Sequence, residues 1–214
     1  MASGKFISFE GGEGAGKTTQ AERLCNKLES LGIKTLLTRE PGGTAGAEAI
    51  RELVLSGSHE KWSSLTELLL IYAARLDHVE KLIKPALERG IWVVSDRFAD
   101  SSIAYQGYAR GLGASKVKDL HSLVLDDFQP DLTILFDIDP VLSKSRVEKR
   151  GGELSRFDKE SLPFHNILRD AFLDIAVENQ DRFFTVDAGR DREFIHSRIL
   201  EALKARYPEA LKEV

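Results

Sequence analysis

An α/β chain, with a parallel sheet covered by helices on both faces, is predicted by three observations. Five short runs are apolar without alternation, helical periods separate them, and the first run opens into a glycine-rich turn that leads into a helix. Continuous apolarity suits strands covered on both sides, whereas alternation marks a strand with one wet face. Strands alternating with helices build a parallel sheet between helical layers.

The first strand is FISF (6–9). Beyond the glycine-rich turn, Ala21, Leu24, Cys25, Leu28 and Leu31 recur at helical spacing and Gly32 supplies a stop. IKTLLT (33–38) is the second strand. Ser64 and Glu67 suit a capping box before a helix carrying Leu68, Ile71, Val79 and Leu82, which Pro85 limits or kinks. IWVVS (91–95) is the third strand, a helix covers about 115–127, and LTILFDI (132–138) is the fourth strand. Asp139-Pro140 reads as an N-cap with proline at the first helical position. Helices over 161–179 and 191–206 flank the fifth strand, FFTVD (183–187). Between two helices, SRVEKRGGELSRFDKES (145–161) is a solvated loop or a mobile lid, with Gly151 and Gly152 allowing movement.

The 214 residues form one domain, with no repeat, low-complexity tract or linker. A chain this long buries roughly 70% of its unfolded surface and needs no staple. Cys25, the single cysteine, has no internal bridge to make, which suits a reducing compartment. The formal charge of −4 gives no general attraction for nucleic acid or an anionic membrane. MASGKFISF lacks the pattern of a secretory signal, and no apolar run reaches the ~18 residues of a membrane span. The expectation is a soluble cytoplasmic protein, and any anionic ligand must find positive charge gathered locally.

Gly11-Gly12-Glu13-Gly14-Ala15-Gly16-Lys17-Thr18 fits G-x-x-x-x-G-K-[ST] after a strand and opening a helix. Bare backbone lets successive N–H groups surround a polyphosphate, and the helix N-terminus adds partial positive charge. Lys17 then reaches the β/γ-phosphates and the Thr18 hydroxyl ligates Mg²⁺. The chain has no N-K-x-D guanine reader, and its third strand ends Ser95-Asp96-Arg97 rather than in D-E. Arg39 follows the second strand and Arg97 the third, where open α/β sheets bind ligands; Arg51 and Arg75 lie on intervening helices. A single arginine is more often a surface salt bridge, but two at strand ends beside a phosphate loop suit phosphoryl transfer to an anionic acceptor.

FEGGEGAGKTTQ, TREPGGT, YAAR, SDRF, SSIAYQG and the arginine-bearing stretch up to Arg156-Phe157-Asp158 closely resemble the bacterial thymidylate kinase family over nearly the whole chain. The resemblance implies a three-layer αβα P-loop NTPase fold with a five-stranded parallel sheet and a short lid at about 145–158. It also implies γ-phosphoryl transfer from ATP to dTMP with Mg²⁺, and a homodimer through helices near 64–84. Gly11 to Thr19 would bind ATP together with Arg146 and Arg150. Glu13 would meet the deoxyribose 3′-hydroxyl, Arg39 and Arg97 the acceptor phosphate with Arg51 assisting, and Arg75 the thymine. Pro41, Ile71, Ser102, Tyr105 and Gln106 would complete the dTMP site, and Asp96 with Thr18 would orient the metal. Lys17, Arg97 and a lid arginine, Arg150 or Arg156, would carry catalysis.

One subgroup of the family places a catalytic arginine in the P-loop, where this chain has Gly14, so the lid would supply it from Arg146, Arg150 or Arg156, with Lys149 nearby. Ile71 stands where many members stack an aromatic ring on thymine, which leaves Tyr72 as a compensating neighbour or a different base packing. Phe98 replaces a common tyrosine. His59, His78, His121, His165 and His196 show no metal spacing and suit surfaces or helix ends; Asp126-Asp127 suits a solvated turn. Two rival readings share the cradle: a P-loop phosphotransferase for another nucleotide or nucleoside, and a non-enzymatic ATP-dependent switch. The second has no use for Arg39 and Arg97.

Overall fold

The computed structural model describes residues 4–151 and 154–211. Five strands, β1 (Phe6–Gly11), β2 (Thr35–Arg39), β3 (Trp92–Asp96), β4 (Leu132–Asp137) and β5 (Phe183–Asp187), pair in parallel in the order β2-β3-β1-β4-β5. Every residue of β1 is buried, as its unbroken apolar run requires. The outer strands depart from the expected double coverage: Leu37 on β2 is 41% exposed because an edge has one neighbour only.

Side chains alternate across the sheet even though both faces are dry. Ile7, Phe9, Val94 and Ile134 meet α1 (Lys17–Ser30) and α9 (Arg192–Arg206) on one face. Leu135 meets the opposite layer, in which α2 (Ala45–Leu55), α3 (Ser64–His78), α6 (Ala114–Leu125) and α8 (Leu162–Glu178) share a core around Leu68, Val117 and Phe172. The sheet is thus the middle of three layers, and its carboxyl ends share one rim. There Asp96 is in register with Phe9 on one side and Arg39 on the other.

Four expectations change. α3 is capped by Ser63, whose hydroxyl accepts from Thr66 N, so Ser64 and Glu67 form no capping box; Glu67 lies one turn in and faces the core. Pro85 does not end the helix. A π-helical turn, Val79–Ile83, precedes it and leads into α4 (Lys84–Glu88), a register change that accommodates the missing N–H. Residues 145–150, expected as loop or lid, are the last turns of α7 (Pro140–Arg150), where Val147 is buried and Gly151 (φ 65°) stops the helix. A helix not anticipated, α5 (Ala99–Ser102), continues as a π-helical segment, Ile103–Ala109, and carries Ser102, Tyr105 and Gln106. Gly152 lies outside the described residues.

Asp139 and Pro140 cap α7 as expected, Asp139 accepting from Val141 N and Leu142 N. Asp126 and Asp127 form the exposed turn, both at positive φ.

Candidate active site

The turn between β1 and α1 folds tightly because it must pass between neighbours. A Cβ on Gly11 would stand 2.5 Å from the Phe136 carbonyl oxygen. No side chain caps α1 and its first turn carries no acidic residue, so its leading N–H groups are available to an anion. Lys17 folds back over the turn and donates to the carbonyls of Gly11 (3.0 Å) and Gly12 (2.7 Å). Burial, and then Arg97 beside it, lower the pKa of Lys17 to about 8.

Thr18 Oγ1 lies 2.5 Å from Asp96 Oδ2. A hydroxyl and a carboxylate oxygen side by side suit a hard divalent cation such as Mg²⁺, which is usually held by one or two carboxylates plus substrate phosphates. Among the described residues no cluster of three His, Cys, Asp or Glu could hold a metal by itself, so Thr18 and Asp96 would supply only part of an ion's coordination.

Arg97 connects this cradle to the helical segment that carries Ser101 and Tyr105. Its φ of 76° is rare for a residue with a side chain, and its N–H donates to Phe9 O at 2.9 Å. Nη1 donates to Gly11 O (2.9 Å) and Ser101 Oγ (3.0 Å), and Nη2 to Glu13 Oε1 (3.1 Å) and the Tyr105 hydroxyl (3.0 Å). Burial opposes its charge, but Tyr105, Glu13 and Asp96 around it push its pKa above the ordinary value. Burial alone would raise Glu13; Arg97 and Lys17 outweigh it and hold the carboxylate below its usual range. Glu13 Oε2 is buried without a hydrogen-bond partner, facing His165 Nδ1 at 3.7 Å.

Arg39 is half exposed, donating to Glu48 at 3.2 Å, and Arg51 donates to Pro41 O at 2.6 Å. Arg75 is almost wholly buried: Nε meets Glu40 Oε2 (2.6 Å), Nη1 Ser102 Oγ (3.0 Å) and Nη2 Phe98 O (3.1 Å). Glu40 is held in turn by His78 Nδ1 (3.0 Å), whose Nε2 contacts Thr38 Oγ1 at 2.7 Å. His78 does end α3, as expected, but it is fully buried rather than at the surface.

A single cavity of about 1550 Å³ joins these walls, lined by residues 13–19 of the cradle and by Arg39, Pro41, Arg51, Ile71, Arg75, Asp96, Arg97, Ser102, Tyr105 and Gln106. That exceeds the ~300–1,000 Å³ usual for one small ligand. Ile71 lines it; Tyr72 does not, and instead packs its ring 4.6 Å behind the Arg75 guanidinium, so it supplies no replacement stacking surface.

The lid arginines separate. Arg150 and Lys149 line the cavity, and Arg150 is mostly exposed, 3.9 Å from Asp158. Arg146 also lines it and donates to the carbonyls of Ala188 (2.7 Å) and Gly189 (3.3 Å). Arg156 is buried and absent from the lining: Nε donates to Val54 O at 2.6 Å and Nη2 pairs with Glu67. Gly14 has φ 68°, and a Cβ there would sit 2.7 Å from Ser143 O and 3.0 Å from Val147 Cγ2. The position expected to have lost an arginine is closed by α7.

Residues the sequence did not place at this site are Glu40, Phe157, Glu67, read as half of a capping box, and His165, read as a surface or helix-end residue. Glu67 interrupts an apolar helical stripe with a carboxylate, a usable signal, but its spacing from Ser64 also matched a cap. Phe157 lines the cavity and meets Tyr105 edge-on at 5.3 Å; only the fold brings them together.

The thymidylate kinase family model matches residues 9–199 of the chain. A thymidylate kinase of Afipia carboxidovorans is 46% identical over 97% of this chain and 92% of its own length. One from Caulobacter vibrioides is also 46% identical, over 96% and 99%. The crystal structure of a thymidylate kinase from Ehrlichia chaffeensis superposes with a TM-score of 0.76 at 36% identity, covering 94% of this chain and 99% of that one.

Proposed function

The chain belongs to the thymidylate kinase family, and from that premise we propose that it transfers the γ-phosphoryl group of ATP to dTMP, giving ADP and dTDP for dTTP synthesis. One observation carries the reading: Arg97 reaches from Gly11 O and Glu13 of the phosphate cradle to Ser101 and Tyr105 on the helical segment across one cavity. The triphosphate of the donor and the single phosphate of the acceptor, entering from the two sides, meet at its guanidinium.

The ATP phosphates lie against the backbone of Gly11–Gly16 and Lys17, with Arg146 and Arg150 over the donor. Thr18 and Asp96 would hold Mg²⁺, which supplies neutralisation of the phosphate charge. Arg97 and Arg39 hold the dTMP phosphate in line, with Arg51 behind. Arg150, the exposed lid arginine that lines the cavity, is the cation for the transferring phosphoryl.

On the acceptor side, Glu13 Oε2, which accepts no hydrogen bond, suits a donor, which the 3′-hydroxyl of deoxyribose provides. Arg75 can only donate and faces the C4 oxygen of thymine. Ile71 packs on the base by dispersion, and Ser102 and Tyr105 crowd the 2′ position. Exposed Leu53 on α2 and Leu65 and Leu69 on α3 form the apolar face for a second copy. No helix among the described residues is long and apolar enough to cross a membrane, and the free Cys25 suits the reducing cytoplasm.

ADP release with Mg-ATP and a panel of nucleotides tests the proposal. The expected order is dTMP first, dUMP weaker for want of the 5-methyl contact, and ribonucleotides close to background. An equal response across the panel would contradict it.

A further inference from the structure

We infer that Glu67 is the positioning residue for base discrimination: it fixes the side-chain amide of Gln106 in one of its two orientations, with Arg156 as its counter-charge. The inference rests on the dTMP reading above and adds a residue that touches no substrate.

Glu67 is fully buried on α3, where an ionised carboxylate is costly unless every oxygen is engaged. Its Oε2 pairs with Arg156, and Arg110 lies 3.6 Å away; its Oε1 accepts from Gln106 Nε2 at 2.8 Å. A carboxylate only accepts hydrogen bonds, so the amide must turn its NH₂ toward Glu67. That leaves Gln106 Oε1 as the free end, and it is buried with no partner.

Gln106 lines the same cavity as Arg75. The cavity lining therefore includes both a guanidinium that only donates and an amide whose unpartnered oxygen only accepts. A pyrimidine with a C4 oxygen and an N3–H matches both; cytosine, with a C4 amino group and a bare N3, mismatches both. An amide has nearly the same shape either way round, so nothing in its own packing selects the orientation. Glu67 does. A carboxylate at that position needs a cation, and Arg156, drawn from the segment after α7, provides it while donating to Val54 O.

The test compares kcat/KM for dTMP and dCMP in Glu67→Gln, Gln106→Ala and the double variant, with thermal unfolding recorded for each. Glu67→Gln, whose amide can satisfy Gln106 in either orientation, is expected to lower the dTMP:dCMP ratio about tenfold, roughly one hydrogen bond's worth, through KM rather than kcat. Once Gln106 is alanine, the Glu67 change is expected to add nothing to the ratio. Glu67→Asp keeps the charge opposite Arg156 but withdraws the oxygen from Gln106, and gives the same readout if Glu67→Gln fails to fold. An unchanged ratio in a folded Glu67 variant, or an equal further fall in the Gln106→Ala background, would overturn the inference. Failure of the wild-type protein to use dTMP would instead defeat the functional reading itself.

Discussion

Thr18 Oγ1 and Asp96 Oδ2 stand 2.5 Å apart, one from the first turn of α1 and the other from the end of β3. Neighbouring strands bring them together: β1 and β3 pair in parallel, and Phe9 and Asp96 share a register. Asp96→Asn keeps the shape and removes the charge that a divalent ion needs. It is expected to lower kcat by about 10² and to raise the Mg²⁺ concentration for half-maximal rate. A magnesium titration of both proteins checks this; superimposable curves would remove Asp96 from the metal site.

Lys17 carries a pH dependence with a defined sign. Burial and Arg97 lower its pKa to about 8, so in the free enzyme the neutral amine gains as pH rises through that value, and attraction for ATP phosphates falls. kcat/KM for ATP is expected to decline above about pH 8. In kcat the same limb lies higher, because bound phosphates stabilise the ammonium. Lys17→Arg, which stays charged, is expected to lose the limb altogether. Identical alkaline limbs in both proteins would contradict the assignment.

Gly14 is closed to any side chain by Ser143 O and by its own φ of 68°. Gly14→Arg should therefore not move the catalytic cation into the P-loop. The expected result is a loss of about 2 kcal/mol or more in stability with activity reduced, measured by denaturant unfolding and steady-state rates.

Arg150 and Arg156, equivalent in the sequence, are expected to fail in different ways. Arg150→Ala should lower kcat by about 10²–10³ with stability unchanged, as for a cation facing developing charge. Arg156→Ala removes the closer cation from the buried Glu67 carboxylate, leaving Arg110 at 3.6 Å, and should cost about 3 kcal/mol of stability. Unfolding curves beside kcat separate them; a stable, slow Arg156→Ala would reverse the roles.

These two arginines also mark where sequence legibility ends. The five strands and the cradle were readable because period and motif are local properties. Arg39, Arg75 and Arg97 were readable as a group because strand ends and family motifs fix their places. What Arg156 meets is 89 residues away in the chain on Glu67, and spacing does not encode that. Glu67 itself was misread because the three-residue interval from Ser64 also fits a capping box, and only tertiary packing decides between a cap and a buried carboxylate. The π-helical turns before Pro85 and through Tyr105 left no distinct period, so the helix carrying Ser102 and Gln106 passed unseen.

The central claim is that donor and acceptor occupy one cavity together, their phosphates meeting at Arg97. Calorimetric titration of a non-hydrolysable ATP analogue into protein already saturated with dTMP tests it most directly. One further analogue bound per chain is the expected result, with the heat of binding altered in Arg97→Ala. Displacement of dTMP by the analogue would contradict the account.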